Sequence, residues 1–332
     1  MPATLVDLAQ TSEDPLQAGV AEMFLTEWDP FAIIDYATIG DMADRSIRWS
    51  TLPTVGYRAI NGSYTESTGT FEQQEETLSI VGGDVDVDIQ LENNKTQVID
   101  MMGEQTRMKV KALAYHTGNN FVNGDKATDP LEVDGLNIRV GNLPSRQTIS
   151  FSGTTDSLKV YASASTLNQF FDNLSDALSK LDGGICDFII ADETSVQGIF
   201  SAMRRLSVPA NQGDMMSLVV GGTTLMFPTL SINGQTIPVV RAGFTDSDQA
   251  TKVITTTEDP GDGGTDSTSI YFVRTSGERM FKGLQKRDLE VRPIGELQGQ
   301  PANRVRIEWV YGYSNYNDRC LVVGRDMKFA AS

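Results

Sequence analysis

Apolar residues fill every second position of the segment DVDVDIQL, residues 84–91. This period of two predicts a strand that turns one face to a core and the other to solvent. Val85, Val87, Ile89 and Leu91 are expected on the core side. The aspartates between them are expected in water.

The next segment, Asn94 to Gly124, has the longer period of a helix, and Asn94 is a suitable N-cap. A single helix of roughly 30 residues would span about 45 Å. One broad side is expected to be apolar and the opposite side charged. The apolar side comprises Val98, Ile99, Met101, Met102, Met108, Val110, Leu113 and Tyr115, and the charged side Asp100, Glu104, Arg107 and Lys111.

Shorter elements are predicted around this helix. Strands are expected at Ser46–Tyr57, which Pro53 interrupts, at Phe188–Ala191, at Ser269–Val273 and within Asn303–Val323. A loop followed by a short strand is predicted at Asp125–Gly141, and a helix at Leu158–Leu181 ends at Gly183-Gly184. Asp192 should cap a second helix, and Asn233-Gly234 predicts a hairpin turn.

Residues 1–44 form an N-terminal arm with many large apolar side chains, but Pro15 and Pro30 break any long helix. Such an arm must bury these side chains somewhere. It either covers its own domain or lies across a neighbouring chain. We select Trp28 and Phe31 as candidate contacts with another subunit.

Charge is distributed unevenly along the chain. Residues 59–94 contain eight acidic residues and no lysine or arginine, whereas residues 274–292 are rich in basic residues. The acidic stretch begins with a segment that predicts a long projecting loop. Opposite patches that cannot meet within a subunit can meet between subunits. The candidate charged contacts are Glu66, Glu72, Glu75, Glu76, Arg204, Arg205, Arg274, Arg279, Lys282, Lys286 and Arg287.

Composition narrows the class of protein. The 332 residues are 39% hydrophobic, enough for a core, and the net charge of −17 argues against a nucleic-acid binder or a membrane-surface protein. We expect neither a signal peptide nor a transmembrane span. Cys186 and Cys320 have apolar neighbours and are expected as buried free thiols.

The search for catalytic chemistry gives no catalytic, cofactor or metal-binding residue. The one histidine, His116, is expected to pack on the apolar side of the long helix. No phosphate-binding, dinucleotide-binding or nucleophile-elbow motif occurs. Asp84, Asp86 and Asp88 could hold a cation, as could the loop Asp259–Asp266, but a solvated strand face and a surface loop are the favoured interpretations.

Taken together, the order of elements resembles the major capsid protein of tailed double-stranded DNA bacteriophages with the HK97 fold. The similarity extends over nearly the whole chain, and its single motifs are weak. These motifs are Asn123-Gly124-Asp125 with Pro130-Leu131 and Gly135-Leu136, the segment FIIADETSVQGIFSAMRRL, and the late strand from Arg304 to Asn315.

The resemblance implies an α+β fold of five parts. They are an N-terminal arm (1–44), a peripheral domain (45–58 and 80–184) with a long spine helix at about 94–124, an extended loop (59–79), an axial domain (185–302), and a C-terminal return to the peripheral domain (303–332). The arm and the loop would reach over neighbouring subunits.

The implied function is structural, without enzymatic activity. Hexamers and pentamers would form an icosahedral shell around double-stranded DNA, assembled in the host cytoplasm as part of a virion. A portal and a separate scaffolding protein are implied partners, and a decoration protein is a further one. No membrane and no cofactor is implied. Some members cross-link through a lysine of the extended loop, and the absence of lysine from 59–94 predicts no such bond here.

Three alternatives remain open. The same fold could form an encapsulin-like compartment around a cellular enzyme. The chain could instead be an acidic hydrolase, since a pair of carboxylates cannot be recognised from sequence. It could also be a phage tail or adhesin component, which would form tubes or trimers.

Overall fold

The computed structural model describes residues 15–28, 30–92, 100–151, 160, 164–205, 215–220, 223–258, 267–277 and 279–328. The first half of the chain contains α1 (Pro15–Glu27), α2 (Pro30–Ile33), β1 (Tyr36–Thr38), β2 (Ala43–Thr51), β3 (Thr70–Thr77), β4 (Ser79–Asp88), α3 (Ile89–Glu92), α4 (Met101–Asn123), α5 (Leu136–Gly141), β5 (Thr148–Ser150) and α6 (Ala164–Lys180).

The second half is richer in strands. It contains β6 (Phe188–Ala191), α7 (Glu193–Arg205), β7 (Met215–Val220), β8 (Thr223–Ile232), β9 (Gln235–Arg241), β10 (Thr268–Val273), β11 (Phe281–Glu296), β12 (Ala302–Asn315) and β13 (Leu321–Met327). The mixture of helices and strands confirms the predicted α+β class.

A four-stranded sheet forms around the long antiparallel hairpin of β11 and β12, in the order β1-β11-β12-β4. Along β12, Val305, Ile307, Trp309 and Tyr311 alternate toward the interior, as their period of two predicted. β4 pairs with β12 so that Val85 lies opposite Val305. Helices α1 and α4 pack against this part of the molecule.

The other main sheet has seven strands in the order β5-β13-β10-β6-β9-β8-β7. Two local features predicted from the sequence, a helix cap and a hairpin turn, occur next to its strands. The Asp192 carboxylate accepts hydrogen bonds from the backbone N–H groups of Thr194 and Ser195, both at 3.1 Å, and so caps α7 as predicted. Asn233 and Gly234 adopt φ values of 51° and 77°, which close the predicted hairpin between β8 and β9.

Aromatic rings join the N-terminal segment to the four-stranded sheet. Phe24 and Phe31 stack with ring centroids 4.8 Å apart, and both pack edge-on against Trp309, at 5.3 and 5.9 Å. The Trp28 indole donates a 2.6 Å hydrogen bond to the Ala242 carbonyl. The described part of this segment, with Phe24, Trp28 and Phe31, therefore belongs to the subunit core, which is the first of the two possibilities open for the N-terminal arm.

This packing corrects two predicted contacts. Trp28 is 2% exposed and Phe31 1%, so neither side chain is available to another subunit. The physical reason is the shape of α4 in the same chain, against which Trp28 packs. The backbone of Gly118 in α4 leaves room for the Trp28 ring, and a Cβ at Gly118 would lie 2.8 Å from that ring. A hydrophobic pattern does not reveal such a socket.

The long helix is shorter than predicted. Asp100 has an extended backbone (φ −69°, ψ 105°), so α4 begins at Met101, and Asn94 lies outside the described residues. Met108 is 59% exposed, and His116 is exposed rather than packed. Polar and small residues, including Thr117 and Gly118, occupy the buried stripe instead. The Thr117 hydroxyl donates to the Leu113 carbonyl at 2.8 Å, which satisfies it without a distant partner.

Two other expectations were wrong. Leu136–Gly141 is helical rather than a strand, and the strand at 84–91 ends at Asp88, after which Ile89 begins a short helix. Within the range 185–302, β11 pairs into the four-stranded sheet, and within 303–332, β13 pairs into the seven-stranded sheet. Periodicity identifies a strand but not the strand with which it pairs.

Cys186 and Cys320 are buried free thiols, as predicted. Burial raises the pKa of the Cys186 thiol. Among the described helices, none is both long enough and apolar enough to cross a membrane.

Replacing Phe31 by alanine should remove a central ring of the aromatic core. We expect Phe31→Ala to lower the free energy of unfolding by about 3–5 kcal/mol. Phe71→Ala is the matched control, because the Phe71 ring is 73% exposed, and it should change stability by about 0.5 kcal/mol or less. Urea unfolding followed by tryptophan fluorescence measures both. Equal losses would contradict the proposed core role.

Candidate functional site

A two-stranded hairpin, the hairpin arm (residues 43–77), stands apart from both main sheets. Its strands β2 and β3 pair with each other from Ala43–Thr77 to Thr51–Thr70, and with no third described strand. Every residue from 51 to 68 is exposed. The arm begins well before the loop predicted at 59–79, and β2 is the first part of the strand predicted at Ser46–Tyr57. Residues 45–58 therefore lie in the arm.

Polar contacts organise the end of the arm. The Thr51 and Thr70 hydroxyls lie 2.7 Å apart, and Thr54 and Ser67 exchange two hydrogen bonds of 2.8 and 3.0 Å. The Arg58 guanidinium lies over the Tyr64 ring, 5.4 Å from its centroid. The distal part of the arm is thus shaped by hydrogen bonds across its two branches and by a cation–π contact, without a core of its own.

Large apolar side chains cover the arm, although the contacts predicted from the sequence in this stretch were all acidic residues. The exposed fractions are 61% for Ile47, 73% for Leu52, 97% for Val55, 108% for Tyr57, 94% for Ile60, 65% for Tyr64 and 73% for Phe71. A dense set of exposed apolar residues marks an interaction surface. The signal in the sequence was the cluster of Leu52, Val55, Tyr57 and Ile60 in a short stretch that also contains Pro53, Gly56 and Gly62.

The four predicted acidic contacts fall into two groups. Glu66 and Glu72 are exposed on the arm. Glu75 forms a 3.4 Å ion pair with Arg45 on the opposite strand, and Glu76 binds the buried guanidinium of Arg139. The Glu76 carboxylate is therefore engaged within its own subunit.

The predicted basic contacts are also divided. Arg274 donates to the Asp182 and Ser276 carbonyls, and its side chain is 14% exposed, so it serves its own subunit. Arg287 lies 3.9 Å from Glu290 on the same strand. Lys282 and Lys286 are half-buried on β11, and Arg279 is exposed just before it. Arg204 and Arg205 are exposed at the end of α7.

Arg204 borders a second exposed apolar surface. A cleft of about 450 Å³ lies between α7 and the end of the seven-stranded sheet. Met215 and Met226, which line it, are 54% and 59% exposed. β7 is the last strand of the sheet and its six residues carry no charge, whereas exposed edge strands usually carry charges that prevent pairing.

The aspartates of β4 form ion pairs with arginines of β12. Asp86 accepts two 2.6 Å hydrogen bonds from Arg304, and Asp84 accepts bonds of 2.7 and 3.0 Å from Arg306. These hydrogen bonds lower the pKa of both carboxyl groups. Asp88 instead accepts from the Gln90 backbone N–H. The paired strand face agrees with the favoured interpretation of this motif.

The described residues contain no group of three or more acidic, cysteine or histidine side chains suited to a metal ion. The other candidate cation site, Asp259–Asp266, lies outside the described residues. A cleft of about 380 Å³ brings Glu258 and Asp326 together with Arg325 and Tyr271. Burial raises the pKa of Glu258, to which Ser269 donates at 2.6 Å, and Ser150 donates to Asp326 at 2.7 Å. Hydrogen bonds within the sheet therefore hold both carboxyl groups.

No protein-family model and no curated protein matches the sequence. Solved structures do match it. The holo-SrpI encapsulin complex from Synechococcus elongatus PCC 7942 is 15% identical, with a TM-score of 0.57 over 90% of this chain and 86% of that chain. The capsid of a native GTA particle is 13% identical, with a TM-score of 0.58 over 93% and 91%. A Mycobacterium phage Bobi structure is 12% identical, with a TM-score of 0.53 over 91% and 89%.

The similarity spans nearly the full length of each chain, while sequence identity is low. The chain therefore has the HK97-like capsid fold that the sequence resemblance implied.

The ion pairs between β4 and β12 make a specific prediction for pH dependence. Because both carboxyl pKa values are lowered in the folded state, their contribution to stability is present above the ordinary aspartate value of about 4. It is lost as the pH falls through the lowered values. We expect Asp84→Asn to lower the urea midpoint slightly at pH 7. The difference from the unmodified protein should shrink as the pH falls below about 4 and vanish once the pH is below the lowered pKa of Asp84. A difference that persists at low pH would contradict this origin.

Proposed function

We propose that the chain is a structural shell subunit that assembles into closed icosahedral particles built from hexamers and pentamers. The observation that carries this proposal is the hairpin arm, whose large apolar side chains are exposed and are not covered by any described part of their own subunit. The fold, which similar chains use in a capsid and in an encapsulin complex, supports the same function.

The expected free energies of apolar burial and of ion pairing indicate which contacts of the arm drive assembly. Burying the side chains of Leu52, Val55 and Ile60 fully would contribute about 1.5–3 kcal/mol each. Exposed ion pairs such as those of Glu66 or Glu72 contribute about 0–1 kcal/mol each. The entropy cost of association reduces both. The arm therefore binds a neighbouring subunit mainly through its apolar residues, and its acids act as a minor contribution.

We propose that the enclosed material is double-stranded DNA in a phage-type virion, assembled in the host cytoplasm with a portal, a separate scaffolding protein and, in the complete particle, a decoration protein. Acidic subunits favour this, because a net charge of −17 would keep phosphate groups from adhering to the inner wall. No sequence-specific DNA contact is needed.

The similarity to an encapsulin complex favours one second candidate, a cellular compartment around a protein cargo. The contents of native particles distinguish the two. Nuclease-protected double-stranded DNA of uniform length supports the genome shell. A co-purifying enzyme without protected DNA supports the compartment.

Negative-stain electron microscopy of the purified protein tests assembly itself. Closed shells of uniform diameter support the proposal. A monomer at all concentrations, tubes or isolated trimers would overturn it in favour of a hydrolase or a tail component.

The hairpin arm gives the sharpest test by mutation. We expect the double substitution Val55→Ser and Ile60→Ser to reduce the yield of closed particles at least tenfold, because two fully exposed apolar contacts are lost. The control is Glu66→Gln together with Glu72→Gln in the same arm, which should change the yield less than about threefold at low salt. Sedimentation measures particle and subunit fractions.

Salt provides a second control on this prediction. Assembly driven by apolar contact should persist or increase as sodium chloride is raised, whereas assembly driven by ion pairs should weaken. If the glutamine variants fail to assemble and the serine variant assembles normally, the charged contacts drive assembly and the apolar mechanism is wrong.

A further inference from the structure

Glu76, at the base of the hairpin arm, is bound by the body of its own subunit. Its two carboxylate oxygens accept from Arg139 Nη1 and Nη2 at 2.9 and 3.0 Å. Arg139 lies in α5 and is 7% exposed, and its Nε donates to the Asp134 carbonyl at 2.8 Å. This bidentate geometry fixes the direction of the glutamate as well as its distance.

Further polar contacts surround this ion pair. The Tyr316 hydroxyl donates to the carboxylate of Asp44, which lies opposite Glu76 in the hairpin. Lys126 donates to the Thr77 hydroxyl. Side chains from three separate parts of the body therefore hold the base of the arm, where β2 begins and β3 ends.

Few apolar contacts assist this attachment. Leu78, directly after β3, is 7% exposed and packs over Gly312, where a Cβ would lie 2.8 Å from Leu78 Cδ2. Beyond the base, the exposed residues 51–68 provide no contact that could fix the direction of the arm. The attachment therefore depends chiefly on the polar groups at the base.

The length of the arm makes its direction sensitive to this attachment. The nine residues of β2 span about 30 Å at roughly 3.3 Å per residue. A rotation of about 10° at the base would move the end of β2 by about 5 Å, more than the length of a hydrogen bond. Small changes at Glu76 would then misplace the apolar end against a neighbouring subunit.

We propose that Glu76 and Arg139 are positioning residues that set the angle at which the hairpin arm leaves the subunit, with Asp44 and Tyr316 as a second anchor. This rests on the proposed function, in which the arm binds a second copy of the chain. The pair acts on the geometry of assembly and forms no contact with the neighbouring copy.

Hydrogen exchange on unassembled subunits tests the anchor without requiring a shell. Glu76→Gln keeps the shape of the side chain but presents an amide donor to the donors of Arg139. We expect the amides of the arm base, including Leu78, whose N–H donates to Met42, to exchange about 5–30-fold faster. Tyr316→Phe should accelerate the same amides. Amides of β10 and β13 should be unchanged, which shows that the fold is intact.

Glu72→Gln is the matched control, since Glu72 lies in the same strand, is exposed and is remote from Arg139. It should leave the exchange of the base unchanged. If Glu76→Gln behaves like Glu72→Gln, the proposed anchor is wrong.

Electron microscopy of assembled protein gives the second readout. We expect Glu76→Gln to yield open, misshapen or variably sized particles at a total assembled fraction within about threefold of the unmodified protein, because the apolar contacts of the arm remain. Uniform particles identical to the unmodified ones would overturn the positioning role even if exchange increased. If the unmodified protein forms no particles, the shell proposal fails, and the exchange result still decides whether the anchor exists.

Discussion

The packing of Trp309 is the interaction on which the rest of the subunit depends. This ring is fully buried in β12, the strand that joins β11 on one side and β4 on the other. Phe24, Phe31 and Tyr36 all pack against it from the N-terminal segment. The position of β12 therefore determines where the N-terminal helices lie and where β4 runs. Since β4 follows the hairpin arm directly in sequence, it also determines where the arm leaves the body.

Within the body, ion pairs and a helix cap hold several polar groups, and the large apolar side chains of the core are buried. The aspartates of β4 pair with the arginines of β12, and Asp192 caps α7. The arm differs on both counts. Its strands pair only with each other among the described residues, and its large side chains face water. A chain with this division combines a packed subunit with an element that, among the described residues, is left exposed and is suited to burial against another chain.

The sequence allowed local features to be predicted where one residue determines its own surroundings. Asp192 as a cap, Asn233-Gly234 as a turn and the alternation of β12 needed no distant partner. The failures involve partners far apart in sequence. Trp28 was assigned to a contact with another subunit, because the socket that receives it at Gly118 lies 90 residues away in sequence. Glu76 was assigned to a neighbour because Arg139 lies 63 residues away. For the arm, composition drew attention to the acids, while the decisive fact was the absence of a core beneath Leu52, Val55 and Ile60.

Acidic and apolar residues in the arm have complementary effects at different stages. Before assembly, an exposed hairpin with Val55 and Ile60 uncovered is a hazard for irregular association. Glu66 and Glu72, on a chain of net charge −17, make arms of free subunits repel one another. Screening at cellular salt shortens this repulsion to about 8 Å, so it opposes loose contacts while leaving a closely fitting apolar contact favourable. In the proposed shell, the exposed acids therefore favour one specific docked geometry, and Glu76 at the base is proposed to fix the direction from which the arm reaches it.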